Sequence, residues 1–338
     1  MNKNLLTIAI PAYRRYDSLC KLLKQIDEQI SEENLMEDIE VLICDDSGSE
    51  KQNSKLLAPF LSKKYFRYID NGENIGIINN ILKVIEESSG KYCLSPGDDE
   101  ELLDGKLEEC ITILKEIPDN IAAVIFDEEM SDDRLVLNCL EAAEKYLWYF
   151  GNLGCFIVNT DIVKEYFSCN RRNTIWPQTE LVFQAAFEKK YNFFIVKNRI
   201  IHSPNHRINT RYNSYYLLEG GFLSLIRTAL NLEDNALRYA AIKNINTRYK
   251  ELLKLLLLHY VFNDTKHDTE KTRLSISECR SNYKQHIHDK SIYFFNIFSR
   301  IPQEMYMLLL KIFRKYTKME QIIKNGDNKR DKFNDNYT

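Results

Sequence analysis

Four acidic residues in a row, Asp98, Asp99, Glu100 and Glu101, follow the short apolar run at residues 91–94. Carboxylate oxygens suit Mg²⁺ and Mn²⁺, which commonly bind proteins through one or two carboxylates while bridging substrate phosphates. An alternative interpretation is a helix N-terminus, because acidic side chains before Leu102 would interact favourably with the helix dipole. The cluster therefore indicates either a divalent-cation site or an acidic first turn.

A second acidic pair, Asp45 and Asp46, ends the apolar run at residues 39–44. Ser47 and Ser49 follow it, so one interpretation is a turn that caps the next helix. We expect acidic groups at the ends of different strands to open onto the same crevice. Like charges brought together are costly unless a cation or a hydrogen-bond donor joins them, and the combination therefore favours a cation-dependent site.

Alternating strand-like and helix-like segments must position these residues. Apolar β-branched runs predict strands at residues 5–11, 39–44, 65–69, 91–94 and 121–126. Apolar residues at helical spacing predict helices at residues 17–30, 50–61, 74–88 and 102–117. This alternation predicts an α/β fold with a Rossmann-like, mainly parallel sheet sandwiched by helices, in which ligands bind outside the carboxyl ends of the strands.

The pattern changes after residue 130. Residues 132–149 read as helical or irregular, two further strands are predicted at 154–159 and 191–196, and a helix is predicted at 178–189. Beyond residue 215 the chain is almost entirely helix-like, and its last residues are polar enough to be disordered.

Charge divides the chain. Residues 1–150 contain 16 Lys and Arg against 31 Asp and Glu, whereas residues 151–338 contain 30 against 18. An acidic half would repel a nucleotide unless a cation intervenes. The basic half could contact phosphate, anionic lipid or the acidic half.

Several classes of protein lack their motifs here. The eight cysteines form no C-x-x-C pair, which predicts reduced, mostly buried thiols rather than a zinc site or a disulfide framework. The motifs of dinucleotide oxidoreductases, P-loop enzymes, zincins and serine hydrolases are absent from the sequence, and no nucleic-acid partner is expected. Without a signal-like N-terminus or an apolar stretch of about 18 residues, a cytoplasmic location is predicted.

Four segments in this order strongly resemble the family 2 glycosyltransferases of the GT-A fold. They are TIAIPAYRR at 7–15, IEVLICDDSGS at 39–49, NGENIGIINNI at 71–81 and GKYCLSPGDDE at 90–100. The resemblance is clear over roughly residues 5–130, weaker to about residue 212 and absent beyond. It implies a GT-A catalytic domain at 1–212, with a nucleotide-sugar half at 1–130 and an acceptor half at 131–212. A helical C-terminal region at 213–325 and a disordered tail at 326–338 would follow.

The resemblance assigns the donor, a nucleotide-diphosphate sugar, to residues after the first three strands. Pro11, Ala12 and Tyr13 would line the base pocket together with Arg14, which stands where the family usually has Asn. Asp46, or else Asp45, would accept a hydrogen bond from the base. Asn74 and Gly76 would lie beside the ribose and the sugar.

The resemblance also assigns a divalent cation, Mn²⁺ or Mg²⁺, to the acidic cluster. Asp98 would lie near the ribose, and Asp99 or Glu100 would bind the ion. Glu100 stands where a third Asp is common, which leaves open which carboxylate holds the ion. His202 is a candidate further ligand, although a loop histidine can equally be solvated, and Arg207 and Arg211 could contact phosphate.

Family members generally invert the anomeric carbon and use a carboxylate as general base. Glu180, in the segment WPQTE, stands at the implied distance after the metal motif, with Asp127 and Glu128 as competitors. Alternatively, Glu180 only begins a helix after Pro177. The implied acceptor is a hydroxyl of a glycan or lipid-linked glycan in bacterial surface polysaccharide synthesis.

Residues 297–319 form a basic amphipathic pattern with two interpretations. Such a helix could contact the inner face of the plasma membrane peripherally, or it could pack on the catalytic domain or on a second subunit in a homodimer. Two rival functions also remain, a sugar nucleotidyltransferase and a catalytically weak sugar-binding or scaffold protein. The first should carry a Gly-rich loop after the first strand, and residues 11–15 lack glycine.

Overall fold

Residues 4–48, 54–151, 153–166, 176–202, 224–245 and 247 are described by a computed structural model of the chain. The chain divides into two units, residues 1–212 with 219–249 and residues 213–218 with 250–338. All described residues belong to the first unit. The following predictions lie outside the described residues: the helix at 297–319, the tail at 326–338, the boundaries after residues 212 and 325, Cys169, Cys279, Arg207 and Arg211. The division at residue 130 stays a prediction.

Ten strands form two sheets in the described residues. The strands are β1 Leu6–Ala12, β2 Ile39–Asp45, β3 Phe66–Asp70, β4 Tyr92–Leu94, β5 Glu101–Leu102, β6 Ile121–Phe126, β7 Arg134–Leu137, β8 Phe156–Asn159, β9 Asn192–Val196 and β10 Ile201–His202. Eight of them form one sheet in the order β3-β2-β1-β4-β8-β6-β9-β7, and β5 pairs with β10. The strands of the large sheet are mostly buried on both faces because helices cover it.

Helices connect these strands. They are α1 Tyr16–Glu32, α2 Ala58–Leu61, α3 Ile77–Glu87, α4 Lys106–Glu116, α5 Cys139–Tyr146, α6 Thr160–Val163, α7 Pro177–Lys189 and α8 Ser224–Asn231. Short 3₁₀ turns occupy Ser54–Leu57, Leu147–Gly151 and Lys164–Tyr166, and residues 235–245 are also helical. Leu19, Leu22, Leu23 and Ile26 on α1 are buried against the sheet, at the spacing that predicted the helix. Within the described part of the chain, no helix is long and apolar enough to span a bilayer.

Strand directions bring the ends of the major strands to one edge. β3, β2, β1 and β4 are mutually parallel, β8 runs antiparallel to both β4 and β6, and β6 is parallel to β9. β6 therefore points the same way as β1. The mainly parallel α/β sheet predicted from the sequence is confirmed, and residues that follow β1, β2, β4 and β6 all lie at the same edge.

Three strands were not predicted. Arg134–Leu137 is an edge strand antiparallel to β9, and the prediction of a helical or irregular segment there is wrong at these residues. Its apolar run at residues 135–137 is only three residues long and follows charged residues, so it is too short to show a strand period. Glu101–Leu102 and Ile201–His202 are too short for any periodicity, and the helix predicted from residue 102 begins instead at Lys106.

Glu40 is a buried carboxylate inside the large sheet. Its oxygens accept hydrogen bonds from Thr7 Oγ1 at 2.7 Å, the Ser89 N–H at 2.9 Å and Arg67 Nε at 2.8 Å. Burial acts to raise its pKa, but the hydrogen bonds and the charge of Arg67 outweigh burial and lower it. The carboxylate thus contributes stability above its unfolded-state pKa, and this contribution is lost as the pH falls through the lower folded-state value.

We expect Glu40→Gln to lower the free energy of unfolding by about 1–3 kcal/mol at pH 7. The deficit should shrink as the pH falls below the unfolded-state pKa of about 4.3 and through the lower folded-state value, where the wild-type carboxyl also becomes protonated. Urea denaturation at pH 7 and pH 3 measures both. Glu116→Gln, which removes an exposed pair with Arg134, is the control and should change stability by less than about 1 kcal/mol. An equal deficit at both pH values would contradict the electrostatic explanation.

Candidate active site

The chain that follows β1 contacts both acidic clusters. The Tyr13 N–H donates a hydrogen bond to Asp98 Oδ2 at 3.0 Å. One residue earlier, the Ala12 carbonyl accepts a hydrogen bond from the Asp46 N–H at 2.9 Å. Two consecutive residues therefore bind the ends of β2 and β4, and the two acidic clusters share one edge of the sheet as the sequence predicted.

A tight turn places this segment. Arg14 has a φ of 61°, in the left-handed region that non-glycine residues enter at a cost of about 1–3 kcal/mol. Its N–H donates to Ser47 Oγ at 2.9 Å, and its guanidinium lies 4.6 Å from the centre of the Tyr13 ring. These contacts offset the cost of the turn and fix the position of Tyr13.

Asp45 is fully buried and bound by the protein itself. Tyr16 and Tyr68 donate their hydroxyls to Oδ2, and the Ser47 N–H donates to Oδ1 at 2.9 Å. Burial opposes ionisation, yet these hydrogen bonds keep the pKa of Asp45 below its usual value. Asp45 is therefore a charged anchor between α1, β2 and β3.

Asp46 shapes the loop that precedes α3. Its Oδ1 accepts hydrogen bonds from Asn71 Nδ2 at 3.1 Å and the Ile75 N–H at 2.8 Å, and its Oδ2 accepts one from the Gly76 N–H at 3.0 Å. Gly76 has a φ of 85° and also donates to Asn74 Oδ1 at 2.9 Å. The structure thus brings together three residues that the resemblance assigned to the donor, Asp46, Asn74 and Gly76.

Arg15 faces the acidic cluster at residues 98–100. Its guanidinium forms ion pairs with both Asp98 and Asp99; the contact to Asp98 Oδ1 lacks hydrogen-bond alignment. Asp98 is 1% exposed and Asp99 is 31% exposed. Burial raises the pKa of Asp98 to about 6, although Arg15 and the Tyr13 N–H act in the opposite direction.

Glu100 turns back onto its own loop. Its Oε2 accepts a hydrogen bond from the Gly97 N–H at 2.8 Å, and a Cβ at Gly154 would lie 2.7 Å from the same oxygen. Burial raises the pKa of Glu100 to about 8, with the neighbouring Asp98 and Asp99 charges adding to the rise.

The donor set of this cluster fits a divalent cation. Among the described residues, no three His, Cys, Asp or Glu side chains form a complete ligand set, but an ion that bridges substrate phosphates needs only one or two protein carboxylates. Asp98, Asp99 and Glu100 are the candidates for these ligands. His202 on β10 lies opposite Glu101 on β5 in the antiparallel pair. Its backbone is therefore next to the residue that follows Glu100.

Glu180 lies in the first turn of α7 and is 5% exposed. Asn231 Nδ2 donates a hydrogen bond to its Oε2 at 2.9 Å. A connection of only two residues joins α7 to β9, so α7 runs back along the sheet, where it packs against β6 and α3. A helix of 13 residues spans about 20 Å, slightly more than β9, and its first turn therefore lies at the edge where the parallel strands end.

The competing carboxylates have other partners. Asp127 accepts hydrogen bonds from the Tyr146 and Tyr149 hydroxyls, both at 3.0 Å. Glu128 is 43% exposed and lies 3.4 Å from Arg199 Nε. Asp127 is thus held as an anchor for two tyrosines, whereas Glu180 has its carboxylate at the positive end of a helix.

Residues 7–173 match the model of Glycosyl transferase family 2. This segment is similar to the family 2 glycosyltransferases. No curated protein matches the chain significantly.

Solved structures similar to the chain include Staphylococcus aureus TarS 1–349 in complex with UDP. It has 10% identity and a TM-score of 0.60, over 93% of this chain and 92% of that one. TarS with UDP-GlcNAc has 10% identity and a TM-score of 0.59 over 85% and 82%. Mannosyltransferase PcManGT from Pyrobaculum calidifontis, in complex with GDP-Man and Mn²⁺, has 9% identity and a TM-score of 0.55 over 94% and 88%. At this identity the likeness concerns the fold, and the predicted GT-A fold is confirmed.

Sequence reasoning missed several side chains that surround the site carboxylates. Asn80 Nδ2 donates to the Cys44 carbonyl at 3.0 Å, and Asn80 Oδ1 accepts from Asn71. Asn80 could have been recognised, because an amide inside the apolar pattern of α3 indicates a buried polar contact. Tyr16 and Tyr68 could not, because tyrosines on a helix and a strand look like ordinary core residues. Arg15 stood in the quoted motif without a role, although it is the cation next to the acidic edge.

We expect Arg15→Gln to lower the free energy of unfolding by about 1–3 kcal/mol, because buried Asp98 loses its cation. Urea denaturation at pH 7 without divalent ions measures this. Lys24→Gln on α1 is the control, since Lys24 is exposed and pairs with the exposed Glu28 at 3.6 Å. A loss for Lys24→Gln as large as that for Arg15→Gln would show that the effect is not specific to the acidic pair.

Proposed function

We propose that the protein transfers a sugar from a nucleotide-diphosphate donor to a hydroxyl of a glycan or lipid-linked glycan in polysaccharide synthesis, with inversion at the anomeric carbon. The observation that carries the proposal is the shared contact of two acidic clusters with Ala12 and Tyr13 inside a segment similar to the family 2 glycosyltransferases. The two clusters would bind different parts of one ligand. Asp45 and Asp46 offer hydrogen-bond acceptors for the nucleoside, and the cluster at residues 98–100 offers negative charge for a cation at the diphosphate.

The donor side is assigned to the ends of β1 and β2 and the loop before α3. Tyr13 is partly exposed beside Arg14, and its ring offers a face for a base. Asp46 and Asn74 flank the Gly76 turn, where backbone groups and an exposed amide can contact a ribose. The titles of the similar structures name UDP, UDP-GlcNAc and GDP-Man as bound molecules, which supports a nucleotide sugar as the ligand here.

The resemblance assigned the ion to Asp99 or Glu100 and placed Asp98 near the ribose. Because Asp98 and Asp99 share Arg15 while Glu100 accepts from its own loop, Asp98 and Asp99 would hold the divalent cation, with Glu100 and His202 next to them. When bound, Mn²⁺ or Mg²⁺ would neutralise charge that develops on the departing nucleoside diphosphate. Arg15 now satisfies these carboxylates, so its guanidinium would have to share them with the ion or turn toward the diphosphate, a ligand that suits the arginine fork.

Glu180 is the proposed general base. Its carboxylate would accept the proton of the acceptor hydroxyl as that oxygen bonds to the anomeric carbon. The bond from the anomeric carbon to the diphosphate oxygen breaks at the same time, and the nucleoside diphosphate leaves with the electron pair. Attack opposite the leaving group inverts the anomeric centre. Asn231 holds the carboxylate in one orientation, which reduces the entropy lost in reaching the transition state.

Glu180→Gln should leave donor affinity near the wild-type value and lower turnover at least about 100-fold, because only the proton acceptor is lost. Calorimetric titration of the donor and a coupled assay of nucleoside-diphosphate release measure the two quantities. Glu188→Gln at the other end of α7 is the control and should retain activity. If Glu180→Gln keeps full turnover while Asp127→Asn loses it, the base is Asp127.

Asp99→Asn should abolish the cation-dependent part of donor binding. The measurement is a thermal-shift panel of UDP-, GDP-, dTDP- and CMP-sugars with and without Mn²⁺. In the wild type, the correct donor at about 100 times its Kd adds about 2.7 kcal/mol of stability. Asp104→Asn, an exposed acidic residue in the same segment, should behave like the wild type. A full Mn²⁺-dependent shift in Asp99→Asn would place the cation elsewhere.

A further inference from the structure

The two tryptophans of the chain contact each other away from the donor residues. Trp148 and Trp176 meet edge to face, with ring centroids 5.7 Å apart and ring planes at 90°. Both side chains are partly exposed. Indoles have a large apolar surface, so a partly exposed pair is costly to keep at a surface without a ligand.

The pair is built into the first turn of α7. Trp176 is the N-cap residue of that helix, and Gln178 Nε2 donates to the Phe150 carbonyl at 2.9 Å. Gly151 lies directly against the Trp176 indole, since a Cβ there would be 2.6 Å from the ring. These contacts join the 147–151 turn to α7, and Trp176 precedes Glu180 by about one helical turn.

Polar groups that could bind sugar hydroxyls lie close to Trp148 in the sequence. Tyr149 follows Trp148 directly and shares the Asp127 carboxylate with Tyr146; the two phenol rings are 5.2 Å apart. A pyranose ring has an apolar face of C–H groups and a rim of hydroxyls. The negative face of an indole attracts those C–H groups, and carboxylate and phenol oxygens bind the rim.

We infer that Trp148 and Trp176 form a subsite for one pyranose ring of the acceptor glycan, positioned by the helix turn that bears Glu180. The inference rests on the proposed function, in which Glu180 receives the proton of the acceptor. The donor contacts come from the ends of β1, β2 and β4, whereas the tryptophan pair is carried by segments that follow β6 and precede α7. The pair therefore belongs to the acceptor rather than to the nucleotide.

Intrinsic tryptophan fluorescence tests this directly, because no indole lies outside the pair. The full chain is titrated with methyl pyranosides of glucose, galactose, mannose and N-acetylglucosamine up to about 100 mM, and with sorbitol, an acyclic polyol, as the control. We expect a saturable change in emission with at least one pyranoside and none with sorbitol. An emission unchanged by every pyranoside, or changed equally by sorbitol, overturns the subsite.

Three variants sharpen the test. Trp176→Leu and Trp148→Leu each leave one indole as the reporter and should weaken pyranoside binding at least about 10-fold, because a Leu side chain offers no ring face. Gly151→Ala keeps both indoles but displaces one of them, and should weaken binding as well. Far-UV circular dichroism checks folding of each variant. If one of the Leu variants is unfolded, the other and Gly151→Ala decide, and normal affinity in the folded variants refutes the pairing.

Hydrolysis of the nucleotide sugar in the same samples separates this inference from the proposed function. If the protein slowly hydrolyses a donor but shows no response to pyranosides, the subsite is refuted and the proposed glycosyltransferase function is retained. The opposite result is a ring-specific response that the variants abolish, together with no binding or hydrolysis of any donor of the panel. It would support the subsite and refute the proposed transferase function.

Discussion

The residues after β1 have to bind the ends of two neighbouring strands at once, and the site depends on this constraint. β1 lies between β2 and β4 in the sheet, so the chain leaving it is within reach of both acidic clusters. Tyr13 donates to Asp98 while Ala12 accepts from Asp46, and the chain turns directly afterwards at Arg14. Arg14 is in the left-handed conformation, and strain of this kind is common where geometry serves a ligand.

The two clusters satisfy their negative charge in opposite ways. Asp45 and Asp46 receive six hydrogen bonds from hydroxyl, amide and backbone donors, and the pKa of Asp45 falls below its usual value. Asp98 and Glu100 have few donors, and burial raises the pKa of each. The carboxylates whose ionised form the protein supports least thus lie at residues 98–100, although Arg15 pairs with Asp98 and Asp99. An added cation would gain most there, because low local polarity strengthens its attraction to the carboxylates.

The elements that could be predicted from the sequence are those with a strong local pattern of apolar or charged residues. Central strands such as β1 and β2 are continuous apolar runs, and the acidic residues after them stand out in the sequence. β7 and the two-residue strands depend on pairing with distant segments, which leaves no local pattern. The site shows the same division: Asp46 and Asp98 were recognisable as chemistry, whereas the hydroxyls and amides that orient them come from other elements. Only tertiary contact reveals that Tyr68 binds Asp45 or that Arg15 pairs with both Asp98 and Asp99.

The reversal of direction at β8 separates two groups of polar residues at one edge of the sheet. Because β8 is antiparallel to β4 and β6, it separates β1, β2 and β4 from β6 by a strand that brings no carboxyl end to the shared edge. The end of β6 is still at that edge, where Asp127 anchors Tyr146 and Tyr149 and so holds the 147–151 turn against α7. Between the two groups lies the start of β8, where the Gly154 N–H donates to the Ser95 carbonyl at 3.1 Å and the Cys155 carbonyl accepts from the Phe126 N–H at 3.0 Å. The loop before β8 therefore ties the residues after β4 to the end of β6.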